Sequence, residues 1–238
     1  MNASSSDIYD VLALHYREYA GKKSAYLSAV DRFIVDHAPS RPSSMLDVGS
    51  GDGIRGMALA QQLGISSVVL SDYSAEMVAR CRVLGPSDVW QTAAQELPET
   101  DRSFDVITCL WNVMGHLPDR LSRIKALTRM RALLSPRGII FFDVNNRHNA
   151  AAYGWVKILG RIIIDTMQHD DRRGDASFDW KVGDKVFPAM GHLFTPAEIE
   201  TIIRESGLQV RERIAVDYTS GMVSRSPLRG QLVYSLSL

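Results

Sequence analysis

"SMLDVGSGDGIRGMALAQQLGISSVVLSD" runs from Ser44 to Asp72, and the fold of the chain is read outward from it. A short apolar run leads into three glycines at alternate positions, Gly49, Gly51 and Gly53. Glycine takes positive φ without a steric penalty and lets backbone approach another group closely. A helical pattern follows and stops near Gly64, where a left-handed cap is expected. "SVVLS" is then continuously apolar, as expected of a strand buried on both faces of a parallel sheet. Strand, glycine loop, helix and strand make one βαβ unit. In open α/β sheets the loop after the first such strand lies where ligands bind.

The same alternation continues downstream. "SAEMVARCRVLG" reads as a helix with Ser74 as N-cap and Met77, Val78, Cys81 and Val83 or Leu84 inward. "DVWQ", "FDVITCL" and "GIIFFDV" read as strands. "DRLSRIKALTRMRALL" reads as a helix with Leu121, Ile124, Leu127 and Leu134 on one face, ending before Pro136. "TPAEIETIIRESG" is a helix with Thr195 as N-cap and Pro196 at its first position. "LQVRERIAV" and "GQLVYSLSL" follow as an antiparallel pair at the sheet edge. Upstream, "DIYDVLALHYREYA" and "KKSAYLSAVDRFIVDHA" read as two helices. The expected fold is a doubly wound, Rossmann-like α/β sheet of seven strands, mostly parallel with an antiparallel edge. The expected division of the single domain is a helical cap over 1–43, a core over 44–145, an insertion over 146–190 and a C-terminal helix with strands over 191–238. Within the insertion, "AAYGWVKILGRIIIDTMQH" looks helical, and "SFDWKVGDKVF" reads as a hairpin turning at Gly183-Asp184. Trp155, Ile162, Ile163, Phe178 and Trp180 suit either a roof over an apolar acceptor or a homodimer contact.

Composition narrows the function. The chain has 238 residues, 45% of them hydrophobic, and zero formal net charge. That balance argues against a dedicated nucleic-acid binder, which usually carries a basic surplus. Cys81 and Cys109 sit in apolar settings and have no zinc spacing, so buried thiols are expected and no metal. The opening "MNASSSDIYD" lacks a secretory pattern. "YGWVKILGRIIID" is too short and too charged to span a bilayer. A cytoplasmic protein without a membrane segment is expected.

The glycines alone leave the ligand open. The nicotinamide fingerprint needs a third glycine where Ile54 stands, and no phosphate-loop lysine follows Gly53. Asp72 ends the second strand about 20 residues on, where it suits a ribose. Together with "VVLSDYSAEMV", "AAQELPETDRSFDVITCLWNVMGHLPD" and "LLSPRGIIFFDV", the stretch "MLDVGSGDG" resembles the class I S-adenosylmethionine (SAM)-dependent methyltransferases. The resemblance covers roughly residues 9–146 and resumes at "GHLFTPAEIETIIRESGL".

That resemblance implies SAM as methyl donor and S-adenosyl-L-homocysteine (SAH) as product. It implies that Gly49, Ser50 and Gly51 line the methionine moiety and that Asp47 organises the loop. Asp72 would hold the ribose, Tyr73 would pack on adenine, and Met77 would join the pocket. Leu110, Trp111 and Asn112 would serve the methionine end, and Tyr16 and Tyr19 would fold over it. Where the family usually places an acid for the adenine amino group, this chain has Ala93. Ala94 backbone or the Gln95 side chain must serve instead.

Methyl transfer mainly requires an aligned nucleophile. A base is needed only for a protonated acceptor. His116, His192 and Asp143 are the candidates, with His148, Asn145, Asn146 and Arg147 near them. The expected reaction methylates an N, O or C nucleophile of a small metabolite. The alternatives are an RNA-modifying methyltransferase, using Arg147, Lys157, Arg161, Arg172 and Arg173 against Asp165, Asp170, Asp171 and Asp175, and a SAM binder without catalysis. A nicotinamide oxidoreductase fits the glycine spacing least.

Overall fold

A computed structural model describes residues 21, 23–167, 170, 172–182 and 185–238, with backbone only at 178–182 and 185–189. Strand β1 (Ser44–Val48) pairs in parallel with β2 (Ser67–Asp72) on one side and β4 (Phe104–Cys109) on the other. β3 (Asp88–Gln91) lies beyond β2, and β5 (Leu134–Val144) beyond β4. The chain thus steps one way from β1 to β3, then crosses to the other side of β1. The crevice between β1 and β4 is the topological switch point.

Beyond β5 the direction reverses. β10 (Gln231–Ser237) runs antiparallel between β5 and β8 (Gln209–Val216), and the two-residue β9 (Val223–Ser224) pairs with the end of β8. Among the described residues the sheet therefore has eight strands, one more than expected. The final strand is interior, not marginal. Its burial explains the run "LVYSL", which is buried throughout.

Helices cover both faces. Along β5, Ile140 and Phe142 join a cluster with Leu127 and Ile199, while Ile139 and Phe141 join one with Phe33 and Leu59. The first cluster is roofed by α5 (Arg120–Ala132) and α8 (Pro196–Glu205), the second by α1 (Ser24–His37) and α2 (Ile54–Leu63). Gly64 ends α2 at φ 68°, as its position predicts. Thr195 caps α8 in a reciprocal capping box with Glu198.

Some expected faces turn differently. On α3 (Ala75–Val83), Met77, Val78 and Cys81 are buried, but Val83 is exposed. On α5, Leu121 is exposed and Arg123 is buried. Arg123 reaches back to donate to Leu117 O at 3.2 Å and lies over the Phe194 ring, so its stem takes the place expected of a leucine. Leu134 opens β5 instead of closing the helix. A register shift between β4 and β5 accommodates Pro136 there.

Among its described residues the insertion holds two helices, not one: α6 (Ala150–Tyr153) and α7 (Trp155–Met167). Gly154, at φ 81°, breaks them. The hairpin of β6 (Asp175–Val182) and β7 (Lys185–His192) is longer than expected. The expected first N-terminal helix with Tyr16 and Tyr19, and the Gly183-Asp184 turn, lie outside the described residues. A short α4 (Val113–His116) follows β4.

Candidate active site

The loop after β1 is built from left-handed glycines: φ is 69° at Gly49, 56° at Gly51 and 76° at Gly53. A Cβ on Gly49 would lie 2.5 Å from Val113 Cγ2, so only glycine lets the two strand ends meet. Ser50 lies beneath the loop. Its N–H and its hydroxyl donate to Ser71 O at 2.9 and 3.1 Å. Asp47 is buried behind it, accepts from Thr108 Oγ1 at 2.6 Å, and fills the space a Cβ on Gly56 would need. Burial pushes its carboxyl up to about 6, against the opposing Thr108 bond. Both residues organise the loop, and neither lines the cavity.

Asp72 reaches the loop from β2. Its Oδ2 accepts from Gly51 N–H at 2.8 Å and its Oδ1 from Ser74 N–H at 2.9 Å. Tyr73 beside it is 55% exposed, whereas Met77 is buried. Ala94 and Gln95 follow β3 in a single 3-10 turn. Gln95 Oε1 is buried and has no hydrogen-bond partner among the described residues. An acceptor in that state costs free energy unless something donates to it. Gly51, Asp72, Tyr73, Met77, Ala94 and Gln95, all six expected at the cofactor, line one cavity of about 740 Å³.

The cavity continues past Leu110 along the ends of β4 and β5. Trp111 and Asn112 line it with left-handed φ of 65° and 61°. Asp143, expected near an acceptor, is instead buried under this turn. It accepts from Asn112 N–H at 2.7 Å and Tyr26 Oη at 2.6 Å. His116 lines the cavity and hydrogen-bonds the Met190 backbone; burial lowers its basicity. His192 also lines it, but its ring nitrogens face Asp175 Oδ1 and Glu198 Oε1, each at 2.7 Å. That geometry fastens the hairpin root to α8.

Asn146 is buried in bonds to Pro227 O and Gly230 O, a closing role. Asn145 lines the cavity while its N–H donates to Asn112 Oδ1. Arg147, His148 and Arg173 converge on Asp165 of α7. Among the described residues no cluster of three or more His, Cys, Asp or Glu is placed to hold a metal. Tyr153, Tyr218 and Gln231 complete the far wall. Sequence reading missed them because they lie in separate segments without motifs.

A family model described as a methyltransferase domain matches residues 15–213. The chain belongs to the class I SAM-dependent methyltransferases. A ubiquinone biosynthesis O-methyltransferase of Pseudomonas aeruginosa is 31% identical over 194 residues, covering 78% of this methyltransferase and 73% of the relative. A dTDP-3-amino-3,6-dideoxy-alpha-D-glucopyranose N,N-dimethyltransferase of Streptomyces fradiae is 27% identical over 177 residues, covering 72% and 67%. Among solved structures, a DhpI-SAM-HEP complex superposes with a TM-score of 0.68 at 17% identity, covering 99% of this chain and 96% of the other. That likeness concerns the fold. The residues present fit SAM: a glycine cradle that a Cβ would fill, a carboxylate at the end of β2, and an orphaned acceptor on Gln95.

Proposed function

We propose that this methyltransferase modifies an N, O or C nucleophile of a small metabolite bound in the half of the cavity beyond Leu110. The observation that carries the reading is the extent of the cavity. It runs from Gly49, Asp72 and Gln95 to His116, Tyr153 and Tyr218, so one enclosure of about 740 Å³ offers a nucleoside end and an aromatic end. Small-molecule sites span about 300–1,000 Å³.

SAM supplies an electrophilic methyl group on a good leaving sulfur. The chain supplies the rest. Gly49 and Gly51 admit the methionine end, Asp72 accepts from the ribose hydroxyls, Tyr73 and Met77 flank adenine, and Gln95 Oε1 accepts from its amino group. In the acceptor half, Trp111, Tyr153 and Tyr218 favour an aromatic or otherwise apolar body. For a hydroxyl acceptor, His116 takes the proton. Burial keeps it neutral, and donating one ring N–H to the Met190 backbone leaves the other nitrogen the basic one. His192 and Asp143 act as structural ties in this reading.

The relatives methylate oxygen in one case and a sugar amine in the other by their names, in keeping with a small acceptor. The insertion argues against RNA: Arg147 and Arg173 are engaged by Asp165, and Arg161 donates to Arg147 O and lies over Tyr153 at 4.5 Å. Residues 146–190 serve both as a lid and, through the outward face of α7, as a homodimer contact. Cys81 and Cys109 are free thiols, which accords with a reducing cytoplasm.

The test pairs binding with transfer. SAH is titrated into wild type and Asp72→Ala by calorimetry, and methyl-labelled SAM is offered with phenols, amino sugars and RNA. Binding that Asp72→Ala weakens about 100-fold, with label entering a small molecule, is the expected result. No SAH binding, or label entering only RNA, would sink the reading.

A further inference from the structure

Trp111 and Asn112 are two consecutive non-glycine residues in the left-handed region, at φ 65° and 61°. For a bulky side chain such as tryptophan this is an outlier that persists only where the surroundings enforce it. The enforcing group is Asp143. Its carboxylate, 1% exposed, accepts the backbone N–H of Asn112 at 2.7 Å. The other donor is Tyr26 Oη, 2.6 Å away on α1. Tyr26 also meets the side-chain partner of Trp111. Its ring lies 4.8 Å from that of Tyr218, whose oxygen accepts from the Trp111 indole N–H at 2.6 Å. Trp111 and Tyr218 line the cavity, while Tyr26 and Asp143 stand behind them.

We infer that Tyr26 and Asp143 are positioning residues that hold the Trp111–Asn112 turn left-handed and thereby set the Trp111–Tyr218 wall of the acceptor half. Packing alone does not explain the Tyr26 hydroxyl. Val30, Phe33 and Ile34 already seat α1 on the sheet, and a phenylalanine would fill the same volume. The hydroxyl supplies a donor to a buried carboxylate, which fixes where that carboxylate sits. Only the term "acceptor half" rests on the methyl-transfer reading; the positioning does not.

The test reads the turn directly. The protein is labelled with 5-fluorotryptophan, and the Trp111 fluorine resonance is assigned with Trp111→Phe. Tyr26→Phe and Asp143→Asn are each expected to shift or broaden that resonance while SAH affinity stays within about twofold of wild type. A Trp111 resonance unmoved in both variants overturns the inference. So does a loss of SAH affinity of about tenfold or more in Tyr26→Phe, which would assign the network to the cofactor half. If Tyr26→Phe fails to fold, adding Asn112→Gly, which meets its φ without strain, must restore folding; failure of that rescue also overturns it. A wild type that binds no SAH would count against the proposed function alone, because the resonance is read without ligand.

Discussion

Asp72 accepts the Gly51 N–H on one carboxylate oxygen and the Ser74 N–H on the other; in the proposed reading it accepts from the ribose hydroxyls as well. Replacing it removes two charge-assisted bonds and also loosens Gly51. Asp72→Ala is therefore expected to weaken SAH binding about 100-fold, read by calorimetry. Gln95 is a smaller case. Its buried oxygen gains one neutral bond when adenine donates to it, so Gln95→Ala should cost about fivefold to tenfold in the same titration. An unchanged affinity would return the adenine amino group to the Ala94 backbone. Asp72 was legible in the sequence because a strand end and a spacing mark it. Asp143 was misread because a carboxylate at a strand end looks the same whether it opens into the cavity or is covered by Tyr26, 117 residues away.

At the scale of elements, the sequence spoke clearly where a period and a cap coincide. α8 is the example: Thr195, Pro196 and Glu198 announce its start, and Ile199, Ile202 and Ile203 its buried face. Thr195→Ala should lower stability by about 1 kcal/mol in urea unfolding, because the Glu198 N–H loses its acceptor. Helix α7 was less legible. Its apolar residues suited either a roof or a dimer contact; Val156, Leu159, Ile163 and Met167 point outward, while Arg161 and Asp165 are more covered. The reason is not local. Arg147, His148 and Arg173, all outside α7, draw Asp165 inward and rotate the helix. The order of the last strands was hidden similarly, since placing β10 inside the sheet depends on which neighbour buries it better.

For the whole molecule, the outward face of α7 bears on association. An apolar face of this kind rarely stays in contact with water alone. The homodimer reading expects light scattering to give a dimer for wild type and a monomer for Ile163→Glu, with SAH affinity kept. A wild-type monomer would remove the dimer and leave the lid. Proton linkage makes a second global prediction through Asp47. Its folded carboxyl lies at about 6 against an ordinary value of 3.8, so the folded state binds the proton more tightly. The stabilisation this brings is complete below the ordinary value and is lost as pH rises through about 6. The difference amounts to roughly 3 kcal/mol at about 1.4 kcal/mol per unit. Asp47→Asn keeps the acceptor for Thr108 and cannot ionise. Its Tm relative to wild type should therefore rise between about pH 4 and about pH 7 and level off above that. A difference independent of pH would contradict it.

The reversal of strand order at β1 and β4 has a consequence for how substitutions combine. Gly49, Asp72 and Gln95 hang from β1, β2 and β3, whereas Trp111, Asn145, Tyr218 and Gln231 hang from β4, β5, β8 and β10. On the proposed reading, most of the donor site and the acceptor site are thus written on opposite wings of one sheet. Energetic effects on separate wings should add, as they do for sites without shared partners. The wings meet where the bare α-carbon of Gly49 faces Val113, and non-additivity should concentrate at that seam. A lineage could exchange its acceptor by altering one wing and inherit its donor site intact.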